Sequence, residues 1–580
     1  MRIFAPLRHN NEWAGGRMEW LGHLFEKYPE MAVYLAIGLG YLIGALKFRG
    51  AGIGSVTGSL LAGILVGNFF HVPVSDTAKS ILFLLFLFGI GYSVGPSFFR
   101  SIKGDGWRWA VLGVFVPFVG LITAYVVARF MKLDLGFAAG LLSGALTESP
   151  AIGTASEAIR ALAMPDAQKQ QLVSHIAVAD AVCYIFGTAG LIWFCSSFGP
   201  KLLRVNLRDE SKKIESDLGM KRTRLGVVPA WQPVAIRAYT IPLGAAVIGK
   251  TIHQAEHSVQ GVRIFAERIR RNGEVFEPAP ATVLEAGDRV ALLGRTDILV
   301  DLIGSRAPEV ADPELLDIPV ASFDIYVTGK RLVGKTLEEV GETVGEARGV
   351  FLRGITRQSH MVPIGLKTII ERGDILKVTG TEPAAEGFAE IAGMVLNPVK
   401  ESDLGTLGLA ISAGIFVGAI ITIPMGSLRI NLGTSVGTLL AGLLVGWFGS
   451  VVPWFGRIPE GAVLFMRSMG LAAFVAMIGL KAGPVFISSI KEVGYVLLLG
   501  GAVVTLMPLL AGLVFGRYVL KLNPVLLLGG LAGAQTMTAG LAAVQEKAES
   551  PVAVLGYSGT VAFGHIFLTT CGTLIILLLS

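Results

Sequence analysis

The chain has 580 residues, a formal net charge of +6, 52% hydrophobic residues and only 16% charged ones. Soluble domains carry about 25% charged residues, so a string of soluble domains is excluded. Repeated runs approaching the ~20 apolar residues of a bilayer-crossing helix make it a polytopic membrane protein. The basic excess is spread over loops and a polar insert, which argues against nucleic acid and fits the cationic loops of inner-membrane proteins. Cys183, Cys195 and Cys571 lie in or at the ends of apolar runs, with no CxxC or Cys/His spacing. Neither a structural disulfide, a metal nor a cofactor is expected.

Residues 1–28 have no apolar core, because Glu12, Arg17, Glu19 and Glu26 interrupt it, so they are not a cleavable signal peptide. Trp20, Leu21, Leu24 and Phe25 fall at helical spacing, and read either as a short interfacial helix or as part of a lead-in. Residues 29–200 form a first membrane block, with spans near 31–47, 52–70, 80–99, 107–129, 135–155 and 172–197. Residues 201–229 are a linker whose Lys201, Arg204, Arg208, Lys212, Lys213, Lys221, Arg222 and Arg224 mark a cytoplasmic exit.

Residues 230–310 and 311–395 read as two soluble units of one repeat. Ile248-Gly-Lys-Thr-Ile252 returns as Val333-Gly-Lys-Thr-Leu337, and Leu284-Glu-Ala-Gly-Asp-Arg-Val290 as Ile370-Glu-Arg-Gly-Asp-Ile-Leu376. The Gly-Lys-Thr is not a phosphate-binding loop, since the upstream Gly-x-x-x-x-Gly is missing from both copies. It predicts helix starts with Thr251 and Thr336 near the N-cap.

Residues 396–580 form a second membrane block, with spans near 404–424, 431–451, 463–487, 493–518, 523–545 and 552–578. This block repeats the first. Gly91, Gly95 and Pro96 of a Gly-x-x-x-Gly-Pro-x-Phe motif return as Gly479, Gly483 and Pro484. Gly58–Gly67 matches Gly437–Gly446, and Ser143–Thr147 matches Ala532–Thr536. Loop charges decide the sense of the repeat. In the first block Lys47, Arg49, Arg100, Lys103 and Arg108 crowd the first and third loops; in the second, Arg457, Arg467, Arg517 and Lys521 crowd the second and fourth. A flipped bias predicts inverted repeats. Inversion leaves about five crossings per block, with one run that does not cross fully. The fifth run qualifies, because Thr147-Glu-Ser-Pro150 and Gln535-Thr-Met-Thr-Ala-Gly540 interrupt it. Gly and Pro weaken a helix interior, and matching interruptions in two halves point to a transporter's substrate site.

The soluble units resemble the TrkA-C (RCK C-terminal) regulatory module of potassium-uptake proteins. The matching residues are Gly-Lys-Thr, strands ending in Arg270–Gly273 or Arg353–Arg357, Pro278 and Pro363, and the pairs Gly287-Asp288 and Gly373-Asp374. Two Gly-x-x-x-Gly-Pro halves around two such modules resemble the aspartate–alanine antiporter family, with its YidE/YbjL membrane duplication. The resemblance covers nearly the whole chain after residue 30. It implies an α-helical inner-membrane exchanger of small amino acids or dicarboxylates, electrogenic in its type activity, homodimeric, and not an enzyme. It also implies cytoplasmic TrkA-C modules with an unidentified small ligand, and an N-terminus outside. A TrkA-C-regulated cation channel and a dicarboxylate exporter of the same fold are the alternatives.

Candidate substrate-binding residues follow from polar chemistry at membrane depth. Lys481, with Ser93 as its repeat equivalent, either counters a carboxylate or snorkels. Arg467 suits a bidentate carboxylate, whereas its equivalent Lys79 reads as an interfacial anchor. Thr147, Ser149, Thr536 and Thr538 either cap half-helices or touch substrate. Gln535 can read an ammonium or a carboxylate. Glu148 and Asp180 are charge partners or solvated groups. His175 and His565 read as packed histidines or proton carriers.

Overall fold

The computed structural model describes residues 12–45, 47–48, 51–52, 54–102, 106–220, 234–258, 263–357, 360–396, 402–425, 428–431, 433–452 and 455–580. Residues 1–11 of the lead-in, Lys103, Lys221, Arg222 and Arg224 lie outside them. The chain divides into a membrane unit (1–211, 399–548 and 552–580) and a soluble unit made chiefly of 212–398.

The first half of the membrane unit is built from α1 (Glu12–Lys27), α2 (Pro29–Gly44), α3 (Ser55–Phe69), α4 (Asp76–Ile102), α5 (Trp107–Phe130), α6 (Leu135–Ala145), α7 (Pro150–Ala161) and α8 (Asp166–Trp193). The second half holds α9 (Leu404–Ile420), α10 (Thr434–Val451), α11 (Glu460–Val514), α12 (Pro524–Ala534), α13 (Thr538–Ala548) and α14 (Val554–Leu579). Among the described residues, six helical stretches are long and apolar enough to cross a membrane, and there are shorter apolar helices besides. In α1, Phe25 is buried edge-on against Phe70, while Trp20 stays exposed. The basic stretch after α8 is partly helical, at Gly199–Leu203 and Leu207–Asp217.

One expected boundary is absent. The runs near 463–487 and 493–518 are one unbroken helix, α11, of 55 residues. At 1.5 Å per residue it is roughly 80 Å long if straight, more than twice the hydrocarbon thickness of about 30 Å. The reason lies in the joining residues. Gly104-Asp-Gly106 follows the motif of the first half, but Ser488–Val493 of the second contains neither Gly nor Pro, so nothing there ends a helix. Pro96 and Pro484 do not stop their helices either; both lie inside them.

The repeated motifs are packing surfaces that exchange partners between halves. A β-carbon at Gly91 would stand 2.2 Å from the Leu439 carbonyl oxygen of α10, and one at Gly95 2.3 Å from that of Leu443. On the other side, Gly67 of α3 would meet the Leu480 oxygen of α11 at 2.1 Å, and Gly479 the Leu60 oxygen at 2.5 Å. Only glycine allows backbones this close. α4 and α11 also cross each other. Gly89 faces Arg467 and Met466, Phe83 stacks on Phe474 at 4.2 Å, and Gly470 faces Leu82 and Phe86. Residues rising along α4 meet residues falling along α11, so these two helices cross antiparallel.

The soluble unit contains two five-stranded antiparallel sheets. The first has β1 (Val234–Thr240), β2 (Ile264–Arg271), β3 (Glu274–Phe276), β4 (Arg289–Arg295) and β5 (Glu309–Val310), in the order β3-β2-β4-β1-β5. The second has β6 (Val320–Val327), β7 (Val350–Arg357), β8 (His360–Val362), β9 (Ile375–Thr381) and β10 (Gly393–Val395), in the matching order β8-β7-β9-β6-β10. Thr251 and Thr336 are N-caps, each in a capping box, with Gln254 and Glu339 respectively. The Gly-Asp pairs serve an arginine clamp. Arg271 holds Asp288 through two bonds of 2.8 and 2.7 Å, and Arg357 holds Asp374 through two of 2.7 and 2.8 Å. The modules meet through Phe265 and Phe351, whose rings are 5.7 Å apart, and through Arg348 on Glu256 at 2.6 Å.

Two outcomes are expected. Gly67→Val puts side-chain atoms where the Leu480 carbonyl stands, and overpacking costs on the order of 1–3 kcal/mol. Thermal unfolding of the detergent-solubilised protein will move down, while Gly38→Ala, with nothing within 4 Å, leaves it in place. Arg357→Ala strands the buried Asp374 carboxylate, at a cost of about 3–5 kcal/mol to its module. Amide hydrogen exchange in β9 will report this as lost protection.

Candidate functional site

The fifth apolar run of each half is broken. α6 ends at Ala145 and α7 starts at Pro150; α12 ends at Ala534 and α13 starts at Thr538. The hinge residues Thr147 and Thr536 take the left-handed conformation, with φ of 57° and 56°. Such a conformation is unusual for a β-branched residue and persists only where the surroundings hold it. Here each break holds the other. Thr147 Oγ1 donates to the Gln535 carbonyl at 2.9 Å, and Thr536 Oγ1 donates to Glu148 Oε2 at 2.7 Å. Thr505 Oγ1 of α11 donates to the Ala145 carbonyl at 2.9 Å, satisfying the end of α6.

Glu148 is fully buried at this crossing, not in a wet vestibule. Its Oε1 accepts from Thr569 Oγ1 at 3.0 Å and lies 3.4 Å from His565 Nδ1. Among the described residues, His565 is its only ion-pairing neighbour. Gln535 is also fully buried, and among the described residues neither its Nε2 nor its Oε1 has a partner. Thr188 Oγ1 is likewise buried and unpaired among the described residues, one residue beyond Gly187, which abuts Thr147. The helix ends add charge of both signs. The N-termini of α7 and α13 carry partial positive charge, and the C-termini of α6 and α12 partial negative charge. The crossing therefore offers complementary poles to a group with both an ammonium and a carboxylate.

The two halves are not in the same state. Ser149, at the N-cap of α7, is buried and makes no side-chain cap, whereas its equivalent Thr538 is exposed. Glu157 of α7 accepts from the backbone N–H groups of Thr434 at 2.6 Å and Ser435 at 3.2 Å, capping α10. Its counterpart in α13, Glu546, is exposed.

The remaining candidates lie elsewhere. Asp180 is no cation partner among the described residues; it is buried and accepts from Ser143 Oγ at 2.6 Å. His175 packs on Phe137 at 4.1 Å and contacts Asp134 Oδ2 at 2.6 Å. Arg467 points at Ser93 Oγ, 3.5 Å away. Lys481 pairs with Asp76 Oδ1 at 2.8 Å. Lys79 is not an exposed anchor: it is 4% exposed and lies 2.9 Å from the same oxygen. The antiparallel crossing of α4 and α11 explains both pairs, since it brings the start of each helix to the motif of the other. Sequence reading missed Thr505, Thr569, Thr188, Asp76 and Arg160. The threonines sit singly in apolar runs and can bond their own helix, so the sequence gives no sign that they reach across.

Comparison with known proteins follows the same division. A family model described as a predicted permease membrane region matches residues 32–199 and 406–577, and the TrkA-C domain model matches residues 236–303. An uncharacterized transporter of Bradyrhizobium diazoefficiens is 48% identical over 85% of this chain and 95% of its own. One of Shewanella oneidensis is 37% identical over 97% of this chain and all of its own, and one of Bordetella parapertussis is 36% identical over 96% and 98%. The chain thus belongs to the predicted permease family, as a multi-pass membrane transporter with a TrkA-C domain between its two membrane blocks.

Proposed function

We propose that the protein is a secondary antiporter that exchanges small amino acids by alternating access, aspartate for alanine being the pair that the family resemblance implies. The observation that carries this reading is the crossing itself. A buried carboxylate, Glu148, and a buried amide without a partner among the described residues, Gln535, sit in two interlocked breaks where four half-helix ends converge. An amino acid's ammonium suits Glu148. Its carboxylate suits the Gln535 amide N–H and the half-helix N-termini. Water or ligand must satisfy Gln535, because an unpaired buried amide costs about 1–3 kcal/mol.

The unequal halves support alternation. Antiparallel repeats can trade conformations, so that the half now capped by Glu157 opens while the other closes. Exchange of monoanionic aspartate for neutral alanine moves net charge and is electrogenic. In this reading the protein is a homodimer in the bacterial inner membrane. Its TrkA-C modules face the cytoplasm, where they bind a small regulatory ligand, and its N-terminus lies outside.

Counterflow in proteoliposomes tests the reading. Labelled aspartate should accumulate against internal unlabelled alanine or aspartate, at a rate that responds to a valinomycin-set potential. Glu148→Gln and Gln535→Ala should each slow counterflow by about tenfold or more, the effect of losing a charged or buried hydrogen bond. Aspartate uptake indifferent to internal substrate, or potassium current without exchange, would refute it.

A further inference from the structure

A second polar site lies well away from the crossing. A cavity of about 590 Å³ opens at the start of α4, and its wall includes Asp76, Lys79, Arg160, Lys169, Lys481 and Pro484. Arg160 is twelve residues beyond Glu148 on the α7 side of the break, roughly 18 Å along a helix. One small substrate cannot touch both places at once.

The charges in this cavity do not balance. Lys79, Arg160 and Lys481 all approach a single oxygen, Asp76 Oδ1, at 2.9, 2.9 and 2.8 Å. Among the described residues, Lys169 pairs only with Asp166, 3.8 Å away and almost fully exposed. Four cations, Lys79, Arg160, Lys169 and Lys481, share the wall with two carboxylates, Asp76 and Asp166. Lys79 is the most telling member. It is buried, and among the described residues its Nζ, though 2.9 Å from Asp76 Oδ1, makes no well-directed hydrogen bond. A buried ammonium in this condition is costly unless a further acceptor joins it. Asp76 itself is half exposed, so an incoming anion can reach the three cations that it holds.

We propose that this cavity binds a small dicarboxylate. One carboxylate takes the place of Asp76 among Lys79, Arg160 and Lys481, and the other reaches Lys169. The guanidinium fork of Arg160 suits a planar carboxylate, and Val72, Val74, Ile478 and Leu480 offer apolar wall for the methylenes between the acid groups. Two cationic poles on different helices favour a ligand with two separated charges over a single compact anion. Asp76 acts as a built-in stand-in that keeps the cations assembled when the cavity is empty. The site does not depend on the exchange reading.

Calorimetric titration of the full-length protein in detergent tests this, with succinate as the probe. Succinate should bind about tenfold or more tightly than propionate, the margin expected of one added charged contact. Lys481→Gln should weaken succinate and propionate alike. Lys169→Gln should remove only the advantage of succinate. Asp76→Asn should tighten both, because the stand-in is gone. Lys79→Arg, which keeps the charge, should retain binding even if Lys79→Gln fails to fold. Glu148→Gln and Gln535→Ala should leave succinate binding intact; if they abolish it, the cavity is not a separate site. Tighter binding of inorganic phosphate than of succinate would overturn the proposal in favour of a general anion site. Loss of succinate binding in nanodiscs containing phosphatidylglycerol would overturn it in favour of a lipid headgroup. Succinate binding without any counterflow would leave this site standing and remove the exchange reading alone.

Discussion

A helix cannot break inside a bilayer without leaving backbone groups that lipid will not satisfy. The membrane unit meets that constraint by placing two breaks against each other. Thr147 serves the carbonyl of Gln535, Thr536 serves Glu148, and Thr505 covers the Ala145 carbonyl at the end of α6. The strained hinge conformations at both threonines persist because the opposite break supplies their partners. The rest of the unit serves to keep the two breaks in register. α8 and α14 flank them, and the glycine contacts between α3 and α11, and between α4 and α10, lock each half to the other.

Charge is segregated in the same frame. The crossing contains a buried carboxylate and no lysine or arginine ion pair among the described residues, whereas cations gather about Asp76 at the start of α4. The placement of Lys79 and Lys481 about Asp76, and of Arg467 against Ser93, is one spatial arrangement used twice with different residues. The duplicated scaffold was kept while its side-chain chemistry diverged. The soluble unit shows the opposite history. Its two modules share strand order, capping boxes and arginine clamps nearly residue for residue.

Much of this was legible in the chain. Internal similarity located both membrane halves and the two sheets of the soluble unit. Thr147-Glu-Ser-Pro150 and its counterpart located the broken helices, because Pro and Gly act locally. Contacts between distant helices were not legible. Asp76 and Lys481 are far apart in the chain, and nothing near either names the other. The burial of Lys79 was not legible either: a lysine at the edge of an apolar run is usually wet, and here it is buried beside Asp76. The unbroken length of α11 was missed because apolar runs are counted by span, while a helix ends only where a breaker stands.

The exchange of partners between halves has a consequence for how the protein is made. Gly67 must wait for Leu480, and Thr147 for Gln535, 388 residues later. At ribosomal rates of about 5–20 residues per second, that delay is roughly 20–80 s. The intact helices of the first half can wait in lipid, since their backbones are satisfied internally. The break between α6 and α7 cannot. Until the second half is inserted, Glu148 and the open ends of its two half-helices have none of their partners from that half. The newborn first half is therefore most vulnerable at the place on which the finished protein most depends.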